Sequence, residues 1–292
     1  MAPLNQLMRD YLDRDWRAEM PAEWRDFFAD VEPDLDGLPD WEVPEVSPPR
    51  RVHELPREAG GQPEIAHMSR AFDGLTPDQV RVVILGQDPY PRPQRATGRA
   101  FEDGLWNAEI PMAVANSLRR LLQSAAACEH PGLAISEAED DWDSICDAIR
   151  RGAIPSPATP AYFDHLAVED VLSVNAAWTF TGTNDAMKRA HLRMWKPVMK
   201  QLLRKLTWRD GDVPIVFLLL GADARTLFRV TVATSFRSDA IDGSTRLSTV
   251  YCDHPAYQGG RPYFACGNPM RRVNHALERL GAEPVRWWPP EH

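Results

Sequence analysis

The apolar positions along this chain switch between two periods. Near the start, Leu4, Leu7, Met8, Tyr11 and Leu12 recur at helical spacing, and Trp24, Phe27 and Phe28 repeat it. Pro33 to Pro49 is rich in proline and acidic residues, which predicts an extended connection. From residue 81 onward, short runs predict strands: RVVILG (81–86), VEDVLSVN (168–175), PIVFLLLG (214–221) and TVYCDH (249–254). Helical patterns over Ala113 to Cys128, Leu192 to Leu206 and Asn268 to Leu280 alternate with them. This order predicts an α/β fold, a three-layer α/β/α sandwich around a mostly parallel four-stranded sheet. Functional loops of such a sheet gather at the C-terminal ends of its strands. All four strands run into polar or glycine-containing turns, GQDPY, NAAW, GADA and DHPAY, and these turns mark the place to look for a site.

Composition narrows the class. The chain has 292 residues, 43% hydrophobic and 26% charged, which are globular values and exclude a wholly disordered or fibrous chain. No apolar run is long enough to predict a membrane span. The first 20 residues lack the basic-then-apolar pattern of a signal peptide, so a cytoplasmic protein is expected. Cys128, Cys146, Cys252 and Cys266 stand apart with no CxxC pair, which favours reduced, mostly buried thiols over a zinc ribbon or an iron–sulfur cluster. The net charge is −9, but most of it sits in residues 1–50, which hold 13 acidic and 5 basic side chains. The rest is close to neutral and can still carry a basic face for a polyanion. The stretch from Glu129 to Phe163 reads as an insertion whose acidic run EAEDDWD is a solvated helix face. The expected organisation is therefore an acidic extension over residues 1–65 and a single domain over residues 66–292, interrupted near 129–163.

The strand ends carry chemistry-bearing side chains. Asp88 follows the first buried strand in a loop stiffened by Pro89, Pro91 and Pro93; a carboxylate there can orient water or offset a cation. His254 can donate a hydrogen bond or move a proton. The Asn175 amide offers donors and an acceptor able to read a pyrimidine edge. Phe101 can stack on a ring. On spacing alone the plainer readings are favoured: Asp88 and Asn175 as turn residues, His254 as a structural histidine and Phe101 as a core aromatic. No P-loop, GxSxG elbow, HExxH or GxGxxG motif occurs, and His130 and His165 lack partners at metal-ligand spacing.

Taken together, GQDPYPRPQRATGRAF (86–101), VLSVNAAWT, IVFLLLGADA and DHPAYQGGRPYFACGNPMRRVNHAL (253–277) resemble the uracil-DNA glycosylase superfamily, most closely its GQDPY-bearing members. The similarity runs over roughly residues 70 to 290. It implies a monofunctional DNA glycosylase that hydrolyses the N-glycosidic bond of a flipped uracil and leaves an abasic site, with no metal and no cofactor. Carried over by position, Asp88 would place the water and offset the sugar cation, and His254 would stabilise the departing base through O2. Backbone around Gln87 would contact the base, Asn175 would read its N3 and O4 edge, Phe101 would stack on it, and Tyr90 would exclude a C5 methyl.

The DNA-gripping loops depart from the family pattern. Ala113, Ala222 and Ala256 stand where the family has phosphate-binding serines, the latter two beside Gly221 and Pro255. Gln258 occupies the place of the wedge leucine, next to Tyr257 and just before Arg261. Arg92, Arg95, Arg99, Arg261 and Arg271 are the candidates to take over the grip. Two other readings stay open. One is a glycosylase for a modified pyrimidine of viral DNA, serving defence. The other is a silent scaffold that binds DNA or protein. DNA, single- or double-stranded, is the expected partner, the acidic N-terminal arm is a candidate surface for a protein partner, and a monomer is expected.

Overall fold

In a computed structural model of the chain, the structure is described for residues 1–12, 15–43, 46, 53–55, 64–106, 114–156, 161–182, 184–233, 244–256 and 263–290. The elements in order are β1 (Ala2–Pro3), α1 (Leu4–Tyr11), α2 (Ala22–Phe27), β2 (Glu42–Val43), β3 (His53–Leu55), β4 (Glu64–Ala66), β5 (Val82–Gly86), α3 (Asn116–Glu129), α4 (Trp142–Arg150), α5 (Ala161–Val168), β6 (Val171–Asn175), α6 (Asp185–Thr207), β7 (Ile215–Leu220), α7 (Ala222–Phe228), β8 (Leu247–Cys252) and α8 (Pro269–Arg279). β1–β2 and β3–β4 are small antiparallel pairs. The central sheet has the order β6-β5-β7-β8, and every pairing in it is parallel.

Side chains alternate across this sheet with period two, so each strand feeds two cores. Val83, Leu85, Ile215, Phe217 and Leu219 face one layer, made of α6, α7 and the N-terminal segment. Val82, Ile84, Val216, Leu218 and Leu220 face the other, made of α3, α4, α5 and α8. Burial on both faces is why the strand sequences read as unbroken apolar runs. The chain leaves β5 for β6 on one side and later leaves β7 for β8 on the other. The topological switch point therefore lies between β5 and β7, where sheets of this kind open a crevice beyond the strand ends.

Several expected boundaries move, each for a local reason. The second strand begins at Val171, because Val168 ends α5 and Asp170 turns the chain at φ 61 while its carbonyl accepts from Arg81 and Val82. The fourth ends at Cys252, since Asp253 and His254 already belong to the loop. α6 begins seven residues before Leu192, where the Asn184 side chain caps it by accepting from the Met187 N–H. Only the end of the acidic run, Trp142 and Asp143, is helical, in the first turn of α4. Glu137 to Asp141 form a turn ahead of α4, in which Glu137 holds Arg271 and Asn268 and Asp141 accepts from the Ser136 N–H. Helices α4 and α5 add Trp142, Ile145, Tyr162 and Phe163 to the second core. The Pro33 to Pro49 connection contains no helix among its described residues and pairs Glu42–Val43 with Ala2–Pro3. The cysteines are free: Cys146 and Cys252 are buried, Cys128 is half-buried and Cys266 is exposed.

The N-terminal segment is packed into the first core. Leu4, Met8, Trp24 and Phe28 are wholly buried. Trp16 sits with its ring 5.6 Å from Trp178 and 5.8 Å from Trp195, and Trp24 donates to the Leu75 carbonyl at 2.6 Å. No helix among the described residues is long and apolar enough to cross a membrane.

Candidate active site

The parallel register brings the four strand ends to one edge. Gly86 pairs directly with Asn175, and the Ala176 and Ala177 N–H groups donate to the carbonyls of Gly86 and Gln87. This fixes the GQDPY loop against the turn after β6. A Cβ at residue 86 would collide with Oδ1 of Asn175 and press on Ala100 and Phe101, so glycine there is a packing requirement. At the end of β7, Gly221 adopts φ 94 and its Cα lies against His254, with a Cβ position 3.2 Å from that of the histidine. The two glycines let the strand ends close around one space.

That space is a cavity of about 180 Å³ bordered by Gln87, Asp88, Tyr90, Phe101, Asn175 and His254. Sites for drug-sized ligands run about 300–1,000 Å³, so this one suits a single small ring. Gln87, Asp88, Tyr90, Phe101, Asn175, His254 and Ala256 thus come together from three separate stretches of chain. Gly221 lies behind His254. Pro255 is buried, and its carbonyl accepts from Arg120 of α3. Ala222 is exposed at the start of α7. Ala113, Tyr257, Gln258 and Arg261 lie outside the described residues.

The electrostatics are set mainly by burial. Asp88 Oδ2 is buried and has no hydrogen-bond partner among the described residues. Loss of solvent raises this carboxyl to about 6, Lys188 pulls it down and Asp223 pushes it up. His254 is lowered from the usual imidazole value, first by burial and then by the Lys188 charge, so it is neutral at neutral pH. The Ala256 N–H donates to His254 Nδ1 at 3.1 Å. A neutral imidazole that accepts at Nδ1 carries its proton on Nε2 and can donate only from there.

Phe101 is buried with its ring centroid 5.9 Å from that of His254. It holds φ 67, a left-handed conformation unusual for a bulky residue and characteristic of strained functional sites. The two buried carboxylates that follow it in the chain keep it there. Glu102 accepts from Thr97 at 2.6 Å and from Arg70 at 3.3 Å, while Asp103 pairs with Arg95 and accepts from the Ala115 N–H at 3.0 Å. Gly98, at φ 105, has no room for a Cβ beside the His67 carbonyl, which locks the same loop.

These pairings redefine the arginines. Arg95 serves Asp103, Arg99 serves Asp164 at 2.6 Å, and Arg271 serves Glu137 at 2.7 Å, so three of the candidate grip residues hold the fold together. Arg92 is exposed. Sequence reasoning missed Lys188, Asp223, Ser117 and Arg120, which reach the site from helices. Lys188 carries no signal of its own, being one of several cations on an amphipathic helix. Among the described residues, no three His, Cys, Asp or Glu side chains are grouped so as to hold a metal ion. A larger cavity of about 720 Å³ lies at the opposite edge of the sheet beside Pro77, Lys200 and Trp208. Two of its cations are engaged: Lys205 with Asp30 and the Phe27 carbonyl, and Arg209 with the carbonyls of Pro77 and Val80.

Comparison with known proteins identifies the family. The family model of the uracil DNA glycosylase superfamily matches residues 73–278. A protein named uracil-DNA glycosylase from Parafrankia sp. (strain EAN1pec) is 31% identical over 224 residues, covering 77% of this chain and 79% of its own. One of the same name from Levilactobacillus brevis is 27% identical over 232 residues, covering 78% of each. The crystal structure of a mutant UNG from Nitratifractor salsuginis shares the fold, with a TM-score of 0.50 at 22% identity over 73% of this chain and 78% of that one. The matched span begins just ahead of β5 and ends within α8, so it contains every strand end that borders the cavity, and the protein belongs to the uracil DNA glycosylase superfamily.

Proposed function

We propose that this chain is a monofunctional DNA glycosylase that removes uracil from DNA by hydrolysis. The observation that carries the reading is the meeting, in one ring-sized cavity, of a buried carboxylate oxygen without a protein partner and a neutral histidine whose free proton is on Nε2. A nucleotide swung out of the stack delivers its base to that cavity. The C1′–N1 bond breaks with its electron pair leaving on the base, and positive charge grows on the sugar. Asp88, ionised, lies opposite that charge and holds the water whose oxygen bonds to C1′; as the new bond forms the water passes a proton to the Asp88 carboxylate, which returns it to solvent. His254 donates from Nε2 to O2 of the departing uracil, where the negative charge collects, and the base is finally protonated from solvent. Asn175 pairs with N3–H and O4, which cytosine cannot match. Phe101 supplies the stacking floor and Tyr90 the wall at C5.

Named relatives at 31% and 27% identity support the substrate. The wall at C5 speaks against a base enlarged there, and the retained Asp88, Asn175 and His254 speak against a silent scaffold. The deciding experiment is base release from oligonucleotides containing uracil, thymine or cytosine in single and double strands. Free uracil is the expected product, and Asp88→Asn is expected to slow its release about 10²- to 10⁴-fold while DNA binding persists. Equal losses of turnover and binding would remove Asp88 from the chemistry.

A further inference from the structure

We infer that Ser117, on α3, is a positioning residue that sets the discrimination against bases substituted at C5, by pinning the hydroxyl of Tyr90. The inference rests on the proposed reading of the cavity, in which Tyr90 forms its C5 wall. Ser117 is the second residue of α3 and is 4% exposed. It borders the same cavity as Tyr90, although 27 positions separate them in the chain.

The hydrogen bonding has one consistent direction. Tyr90 Oη lies 3.1 Å from the Phe101 carbonyl oxygen and 3.0 Å from Ser117 Oγ. The carbonyl can only accept, so the single phenolic proton goes to it. The Ser117 hydroxyl then donates to the Tyr90 oxygen. Burial raises the Tyr90 phenol, which keeps that proton in place.

The consequence reaches the base. Phe101 presents its carbonyl to Tyr90 from the left-handed conformation that also sets its ring beside His254. Tyr90 therefore ties the stacking floor to the C5 wall, and Ser117 ties that wall to α3. A methyl group at C5 enters only if the tyrosine ring moves outward. Outward movement breaks the bond from Ser117 as well as the bond to Phe101. Ser117 thus adds a barrier to thymine that uracil never meets.

The test uses the full chain and the ratio of kcat/KM for uracil to that for thymine in matched single-stranded oligonucleotides. Ser117→Ala is expected to lower this ratio about three- to tenfold, the equivalent of one hydrogen bond, through faster thymine release. Ser117→Thr, which keeps the hydroxyl, is expected to restore it. Tyr90→Phe removes this bond together with the one to the Phe101 carbonyl and is expected to lower the ratio at least as far; Ser117→Cys, whose thiol is only a weak donor, serves if Ser117→Ala folds poorly. The double variant is expected to be no worse than Tyr90→Phe alone, since both changes delete a shared interaction. An unchanged ratio in Ser117→Ala and Tyr90→Phe, with thymine admitted by Tyr90→Ala, would overturn the pin and leave the wall intact. Calorimetric binding of free uracil and free thymine reads the discrimination at C5 without turnover, and Ser117→Ala is expected to narrow that binding ratio as well. A chain that released no base would therefore defeat the glycosylase reading while this binding ratio still decided for or against Ser117.

Discussion

Asp88 and His254 show how one act of burial tunes two groups in useful directions. Loss of solvent disfavours charge, so the carboxyl is raised to about 6 while the imidazole is lowered and stays neutral. The acidic limb of kcat/KM, which reports the free enzyme, should accordingly lie near pH 6, with activity lost below it as Asp88 takes up a proton. Lys188 opposes the rise of Asp88 and assists the fall of His254. Lys188→Gln should therefore move that limb to higher pH, and the pH profile of the variant, compared with that of wild type, checks it. An unmoved limb would mean that the Lys188 charge does not reach the carboxylate. The raised carboxyl also costs stability. Between about pH 4 and 6 the folded chain keeps a proton that the unfolded chain releases, so stability falls as pH rises through that window and the loss persists above it. Asp88→Asn should then be more stable than wild type at pH 7.5, by up to about 3 kcal/mol, in urea unfolding. Asp88, Asn175 and His254 were legible in the sequence because the short stretches around them, GQDPY, VLSVNAAWT and DHPAY, resemble the motifs of one family, whereas strand-end position alone did not separate them from turn residues. Lys188 and Ser117 were not, because they sit on helices where only packing decides which neighbours they meet.

Among the elements, α6 joins the site to the core. Its first turn carries Lys188, and its next turn buries His191 between the hydroxyls of Thr179 at 2.9 Å and Thr181 at 2.8 Å. Burial lowers His191 to about 4, so it is folded in the neutral form. The sign is opposite to that of Asp88. The unfolded chain binds a proton near pH 6.5 that the folded chain refuses until about pH 4, so stability is present above that window and is lost as pH falls through it. The loss should reach the order of 3 kcal/mol by pH 4. His191→Gln should flatten the difference between urea midpoints measured at pH 7.5 and 5. The amphipathic pattern located this helix but placed its start too late, since Asp185, Lys188 and Arg189 dilute the apolar stripe. The strands were read most accurately where both faces are buried, as in β5 and β7. β6 was read too long because Val168 suits a strand by composition, whereas the turn at Asp170 separates it from the sheet.

For the molecule as a whole, the N-terminal segment covers one face of the sheet. Trp24 is wholly buried, with its ring centroid 4.6 Å from that of Phe72 and 6.0 Å from that of Phe28. Trp24→Ala should cost about 3–5 kcal/mol, visible as a lower midpoint in thermal or urea unfolding, although the residue lies outside the family match. Deletion of residues 1–31 should likewise prevent stable folding, because it strips Leu4, Met8, Trp16, Trp24 and Phe28 from the first core. A truncated chain that melted like wild type would show that those side chains are not needed there. Part of the acidity of this segment is matched by intramolecular partners, as Asp30 bonds Gln201 and Lys205 and Glu32 holds Arg17.

The sequence by itself determined the α/β class, the four central strands and the loops that carry Asp88, Asn175 and His254. Those features depend on local periodicity and on residues next to one another in the chain, which is the information a linear pattern holds. The tertiary structure alone decided the tautomer of His254, the field of Lys188, the pin from Ser117 and the pairing of Arg95, Arg99 and Arg271 with internal carboxylates. Each of these joins separate elements or loops brought together only when the sheet is assembled, and burial then fixes which charges and protons remain at the cavity.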